Sequence, residues 1–91
     1  MPEDIIVFVG TKKPAINYVL ACMTLLGTND HLVIKARGRA ISRAVDVAEI
    51  LRRKFMTSVS VKEIQVGTEE LTDQKTNRTS RVSTIEIQIT K

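Results

Sequence analysis

The 91-residue chain has no tryptophan, and one tyrosine and two phenylalanines bring its aromatic content to only 3%. Its core must therefore be aliphatic. Phe8, Tyr18 and Phe55 all fall in apolar stretches, which leaves no evident stacking surface for nucleobases. The single cysteine excludes an internal disulfide, and with it the small secreted folds that depend on several. Cys22 lies among Leu20, Ala21 and Met23 and reads as a small buried hydrophobe rather than a nucleophile. No apolar run reaches the roughly 18–20 residues of a membrane span. The acidic start Met1-Pro2-Glu3-Asp4 is unlike the flank of a signal peptide. These absences lead us to expect a soluble, cytoplasmic chain in a reducing environment, with no membrane partner. The only histidine, His31, has no cysteine or carboxylate at metal-ligand spacing, so neither a metal nor a cofactor is expected. Asp46 and Glu49, one helical turn apart, are better placed to pair with Arg43, Arg53 or Lys54 than to do acid–base work. An enzyme is not expected.

What is present is ordinary globular composition, 43% apolar and 26% charged, in a length that suits one domain over residues 1–91. Ile5–Val9 is a continuous apolar run closed by Gly10 and reads as a strand buried on both faces. Pro14 suits the first turn of a helix that runs to about Leu26 and stops at Gly27. Only Asn17 and Thr24 are clearly polar in that helix, so it is expected to be covered on more than one side. Leu32–Ile34 gives a second strand ending at Lys35. From Gly38 to Phe55 the period is helical, with Ile41, Ala44/Val45, Ala48, Leu51 and Phe55 on one stripe. Val59–Val66 and Val82–Ile89 are strand-like, and the phase slip across Lys62-Glu63 calls for a bulge. The polar Thr68–Ser80 segment between them is too long for a tight hairpin loop and reads as an arm extending beyond the core, over about residues 64–86. The expected fold is thus α/β, a two-layer α+β sandwich of order β-α-β-α-β-β.

The net charge of +4 is unevenly placed. Between Lys35 and Lys54 seven Lys and Arg face only Asp46 and Glu49, whereas the rest of the chain is close to balanced. Within that segment Lys35, Arg37, Arg39 and Arg43 precede or open the second helix. Cations at a helix N-terminus oppose its dipole, an arrangement that makes sense if an anion such as phosphate collects both the N–H groups and the arginines. Gly10-Thr11-Lys12-Lys13-Pro14 is a second basic turn before a helix. It lacks the glycine spacing and the Gly-Lys-Ser/Thr order of a phosphate-binding P-loop. In an α/β layout both turns emerge at the carboxyl ends of neighbouring strands and are expected to form one patch. Lys75, Arg78 and Arg81 on the arm suit a ribbon following a groove, although Glu69, Glu70 and Asp73 offset their charge.

Three ordered motifs extend this reading: Gly-Thr-Lys-Lys-Pro-Ala-Ile-Asn-Tyr-Val-Leu-Ala at 10–21, Ile-Lys-Ala-Arg-Gly-Arg-Ala-Ile-Ser at 34–42 and Ser-Arg-Val-Ser-Thr-Ile-Glu-Ile at 80–87. Together they resemble the Alba family of small archaeal chromatin proteins, and the similarity runs along nearly the whole chain. The resemblance implies a homodimer that binds and compacts double-stranded DNA with little sequence preference and also binds RNA. Some eukaryotic relatives are protein subunits of RNase P and RNase MRP, so RNA is the alternative main partner. Lys12 and Lys13 match the family's lysine pair, and Lys12 is the position whose acetylation weakens binding in some members. Arg37, with Arg39 nearby, matches the arginines opening the second helix, and Phe55 matches an aromatic between neighbouring dimers on DNA. The family pattern sends the arms along the minor groove. A nucleoid location, an Alba paralogue and the enzymes that add and remove the acetyl group complete what it implies. Thr11 before the lysine pair and the tip of the hairpin depart from the pattern.

Overall fold

The computed structural model describes residues 4–91, and the acidic start at residues 1–3 lies outside them. The elements are β1 (Ile6–Phe8), α1 (Ala15–Leu26), β2 (His31–Arg37), a 3₁₀ turn (Gly38–Ala40), α2 (Ile41–Ile50), a π turn (Leu51–Phe55), β3 (Ser60–Asp73) and β4 (Arg78–Thr90). They form a mixed α+β structure around one four-stranded sheet of order β1-β2-β4-β3. Strand β1 pairs parallel to β2, while β2–β4 and β4–β3 are antiparallel. Helices α1 and α2 share one face of the sheet. Val19, Cys22 and Leu26 of α1 and Ala44, Val47 and Ala48 of α2 pack there with Leu32, Ile34, Ile87 and Ile89. This core is aliphatic as composition requires, and each fully buried Val, Leu or Ile contributes about 1.5–3 kcal/mol of transfer free energy.

Among the described residues no helix covers the outer face of the sheet. Its rows follow from the ladder, in which Phe8 is beside Lys35, Lys35 opposite Glu86 and Glu86 opposite Gln65. That geometry corrects the expectation that Ile5–Val9 is buried on both faces. Strand β1 lies at the edge of the sheet, and Phe8 on its uncovered side is 71% exposed. A continuous apolar run marks a strand apolar on both faces, but this chain supplies a layer for only one. The same two-layer limit corrects α1, which buries only Val19, Cys22 and Leu26 and leaves Ile16 and Leu20 exposed.

Several boundaries differ from expectation for local reasons. Pro14 is the residue before the first turn of α1 rather than within it, with extended backbone. Gly27 ends α1 in ordinary right-handed geometry, and the carbonyl of Leu25 accepts from the side-chain amide of Asn29 at 2.9 Å. The single helix expected over 38–55 is a 3₁₀ turn, α2 and a π turn in succession. In the π turn the amide of Met56 donates to the carbonyl of Leu51 at 2.7 Å, five residues back. This wider turn rotates Phe55 off the buried stripe and leaves it 46% exposed, so the core role the stripe suggests is not met. The bulge falls where the phase slip placed it, with Val61 opposite Ile89, Glu63 opposite Gln88 and Lys62 extra. The long polar segment is not a loop. Both strands continue through it, register runs to Asp73 opposite Arg78, and a turn of Gln74–Asn77 closes the hairpin. Asn77 takes the left-handed conformation there, and its amide donates to the carbonyl of Asp73 at 2.7 Å.

Gly38 is the other left-handed position, with φ of 60°, where the chain leaves β2 for the helix. A Cβ there would meet Val82 Cγ1 only at 3.4 Å, so conformational strain sets the effect of substitution. Gly38→Ala is expected to lower unfolding free energy by about 1–2 kcal/mol. Chemical denaturation checks this, and an unchanged midpoint contradicts it.

Candidate nucleic-acid interface

The two basic turns follow adjacent parallel strands, β1 and β2, and so leave the sheet at the same edge. Their proximity is fixed by a specific contact. Arg43, on the first turn of α2, donates through Nη1 to the carbonyl of Thr11 at 2.9 Å and to the carbonyl of Lys13. One guanidinium thereby straps the Thr11–Lys13 turn to α2. From the other side the hydroxyl of Tyr18 accepts the amide of Gly10 at 3.1 Å. The turn is anchored at both ends, and Lys12 and Lys13 between the anchors point their charge at solvent. Arg43, expected to be a direct phosphate ligand, also braces the lysine pair through Nη1 in this geometry.

The other sequence-predicted cations fall into two groups. Arg37 pairs with Glu69 at 3.2 Å, Arg81 with Glu70 at 3.7 Å, and Lys35 with Glu86 at 3.6 Å. The Arg37–Glu69 pair ties the root of the arm to the end of β2. Among the described residues no carboxylate lies within 4.0 Å of Lys12, Lys13, Arg39, Lys75 or Arg78. Asp73, opposite Arg78 in the ladder, instead uses its carboxylate to accept the backbone amide of Lys75 at 2.9 Å. The exposed pairs are weak, worth about 0–1 kcal/mol each, so an incoming anion displaces them at little cost. Beyond Val66 the β3 strand continues for seven residues, which carries Lys75 and Arg78 about 20 Å past the sheet's covered part.

Glu49 closes the far end of α2. It binds Arg52 Nε at 2.6 Å and Arg53 Nε at 3.3 Å. The hydrogen bond from Arg52, with Arg53 behind it, holds the carboxyl below its usual range. The pairing with Arg53 is the one the spacing suggested; Arg52 is a further and closer partner, and among the described residues Asp46 has no cation within 4.0 Å. Cys22 is fully buried, and burial pushes its thiol up to about 11, leaving it unreactive.

Sequence reasoning anticipated more apolar residues than a thin α/β layer can hide but did not locate the outward ones. Ile64 and Val66 lie on the helix-bearing side of the sheet, in register with Ile87 and Ile85, yet are 55% and 79% exposed. The helices cover β2 and β4 and stop short of β3. Val45 of α2 is exposed too, and half-buried Ile41 lines a shallow groove with Val66. The alternation in β3 and the extra apolar width of the α2 stripe were their local traces in the sequence.

A helix-backed sheet with one edge of clustered cations and a projecting two-stranded arm presents its charge outward. The chain belongs to the Alba family: the family's sequence model matches residues 5–68. It is 52% identical over 88 residues to the DNA/RNA-binding protein Alba of Methanocella arvoryzae, covering 96% of this chain and 90% of that protein. Its structure is similar to that of Alba from Thermoplasma volcanium, with a TM-score of 0.86, 47% identity and coverage of 94% and 99% of the two chains. The crystal structure of an Alba protein from Trypanosoma brucei matches at a TM-score of 0.77 and 28% identity, covering all of this chain and 72% of the other.

Arg43→Lys preserves charge but replaces the guanidinium, whose Nη1 donates to both carbonyls, with an ammonium on a different stem. The variant is expected to stay folded, with stability lowered by less than about 1.5 kcal/mol. Backbone order parameters at Thr11–Lys13 should fall from about 0.85 toward 0.6. Unchanged order in that turn contradicts the bracing role.

Proposed function

We propose that this protein binds duplex DNA through its phosphate backbone, without sequence preference, and acts as an architectural dimer that compacts it. The observation that carries the reading is that Lys12, Lys13 and Arg39, unpaired among the described residues, follow two strands that end at one edge, with the arm cations Lys75 and Arg78 projecting from the same body. Arg37 and Arg81 join them when phosphate replaces Glu69 and Glu70. Such contacts set affinity and position but carry no sequence information. A relative that is named a DNA/RNA-binding protein supports nucleic acid as the polyanion, and RNA helices present the same phosphates. Acetylation of Lys12 would remove one of these charges and weaken binding without altering the fold.

The dimer rests on the exposed apolar side chains of Val45, Ile64 and Val66, with half-buried Ile41 in the groove beside Val66. A second copy covering them restores to β3 the apolar cover that the helices give β2 and β4. Wild-type protein should sediment at about twice 10.2 kDa at micromolar concentration. Val66→Glu should sediment as a monomer, and a wild-type monomer contradicts the dimer. Phe55, outside the core at the end of the π turn, is assigned to contact between neighbouring dimers on DNA.

Binding assays on duplexes test the reading. Lys12→Ala and Lys13→Ala should each weaken binding to a short duplex by several-fold, while random and defined sequences bind wild type within a few-fold of each other. Phe55→Ala should retain short-duplex affinity and lose cooperative coating of long DNA. A strong preference for one sequence, or unaltered affinity in both lysine variants, contradicts phosphate-led binding.

A further inference from the structure

Phe8 is the most exposed of the three aromatic side chains, and neither the core nor the dimer surface accounts for it. It lies on β1, whereas Ile64 and Val66 lie on β3, at the opposite edge of the sheet. Its face is opposite too. Phe8 shares a row with Lys35 and Glu86, and the β3 residues share rows with Ile85 and Ile87, which point into the core. A dimer formed through β3 and α2 therefore leaves Phe8 uncovered.

The ring opens onto a groove of about 790 Å³ that runs from the end of β1 to the root of the arm. Lys35, Arg37, Glu69, Thr84 and Glu86 line it with Phe8. Two cations and two carboxylates in exposed pairs at 3.6 and 3.2 Å make it close to neutral. It is therefore not a second phosphate track. It combines a flat apolar face with cations able to meet one phosphate and carboxylates able to accept from amino and imino hydrogens. A nucleotide carries those three parts together, and the volume falls in the range of small-ligand sites. In a duplex the base faces are stacked on each other and unavailable, so only an unpaired nucleotide can lay its ring on Phe8.

We infer that the outer face of the sheet at Phe8 is a binding site for an unpaired nucleotide of single-stranded nucleic acid, the base stacking on Phe8 and its phosphate drawn to Lys35 and Arg37. The inference rests on the nucleic-acid reading above and shares Arg37 with it, but Phe8 lies on a face that duplex binding does not need. Stacking supplies the affinity, so the contribution of Phe8 is insensitive to salt, unlike that of Lys12 or Lys13.

The test compares wild type, Phe8→Leu and Phe8→Trp on oligo(U), oligo(dT) and a short duplex at two salt concentrations. Phe8→Leu should weaken single-strand binding by about 5- to 100-fold, the effect of losing one base stack, by the same factor at both salts, and leave duplex affinity within two-fold. Phe8→Trp should retain single-strand affinity. The chain has no other tryptophan, so its fluorescence reports the site directly and should be quenched by oligonucleotide. A larger loss on oligo(U) than oligo(dT) assigns the site to RNA, and equal losses assign it to either strand chemistry. Unquenched fluorescence at saturation, unchanged single-strand affinity in Phe8→Leu, or equal loss on duplex overturns the site. So does a fall in sedimenting mass in Phe8→Leu, which would make Phe8 a self-contact. Failure of wild type to bind the duplex overturns the proposed function instead, and the two failures are read from separate arms.

Discussion

The parallel pairing of β1 with β2 is the constraint on which the rest of this protein depends. Parallel neighbours require a crossover, here α1, and place the ends of both strands at one edge of the sheet. Two basic turns separated by more than twenty residues of sequence thereby become neighbours. Arg43 then converts proximity into fixed geometry by holding the carbonyls of Thr11 and Lys13. The backbone carries the restraint and the lysine side chains remain free for a partner.

The antiparallel half of the sheet does different work. Strands β3 and β4 leave the core as a paired ribbon, so backbone hydrogen bonds rather than side-chain packing maintain the arm. The arm can be long and polar because the ladder satisfies its amides and carbonyls. Its charges are arranged with the same economy. Glu69 and Glu70 occupy Arg37 and Arg81 near the root, while Asp73 turns inward to the backbone and leaves the tip cations unpaired.

Much of this was legible in the sequence, and the exceptions share one cause. Gly10 and Gly38, the slip at Lys62-Glu63 and the alternation of Ile85, Ile87 and Ile89 each encode a local rule, and the elements follow them closely. The basic turns could be joined from strand order alone. What local pattern could not show was which apolar surfaces a single chain covers. Phe8, Leu20 and Val66 are as apolar as Ile34 or Leu26, and only the two-layer architecture separates exposed from buried. Phe55 shows the same limit within one helix, because the change to a π turn moved it off a stripe it matched by period. Arg43 was legible as a cation but not as a brace, since its partners are carbonyls that every residue possesses.

The central claim is that exposed cations at one sheet edge bind the phosphate backbone. The most direct measurement is the affinity of the full chain for a random duplex across a range of monovalent salt. The account predicts that log affinity falls linearly with log salt, with a slope of roughly −5 to −9 for about 6–10 phosphate contacts per dimer. The slope should become shallower by about one to two in Lys12→Ala, according to whether one or both copies touch phosphate. An affinity indifferent to salt, or a slope untouched by loss of Lys12 and Lys13 together, would contradict it.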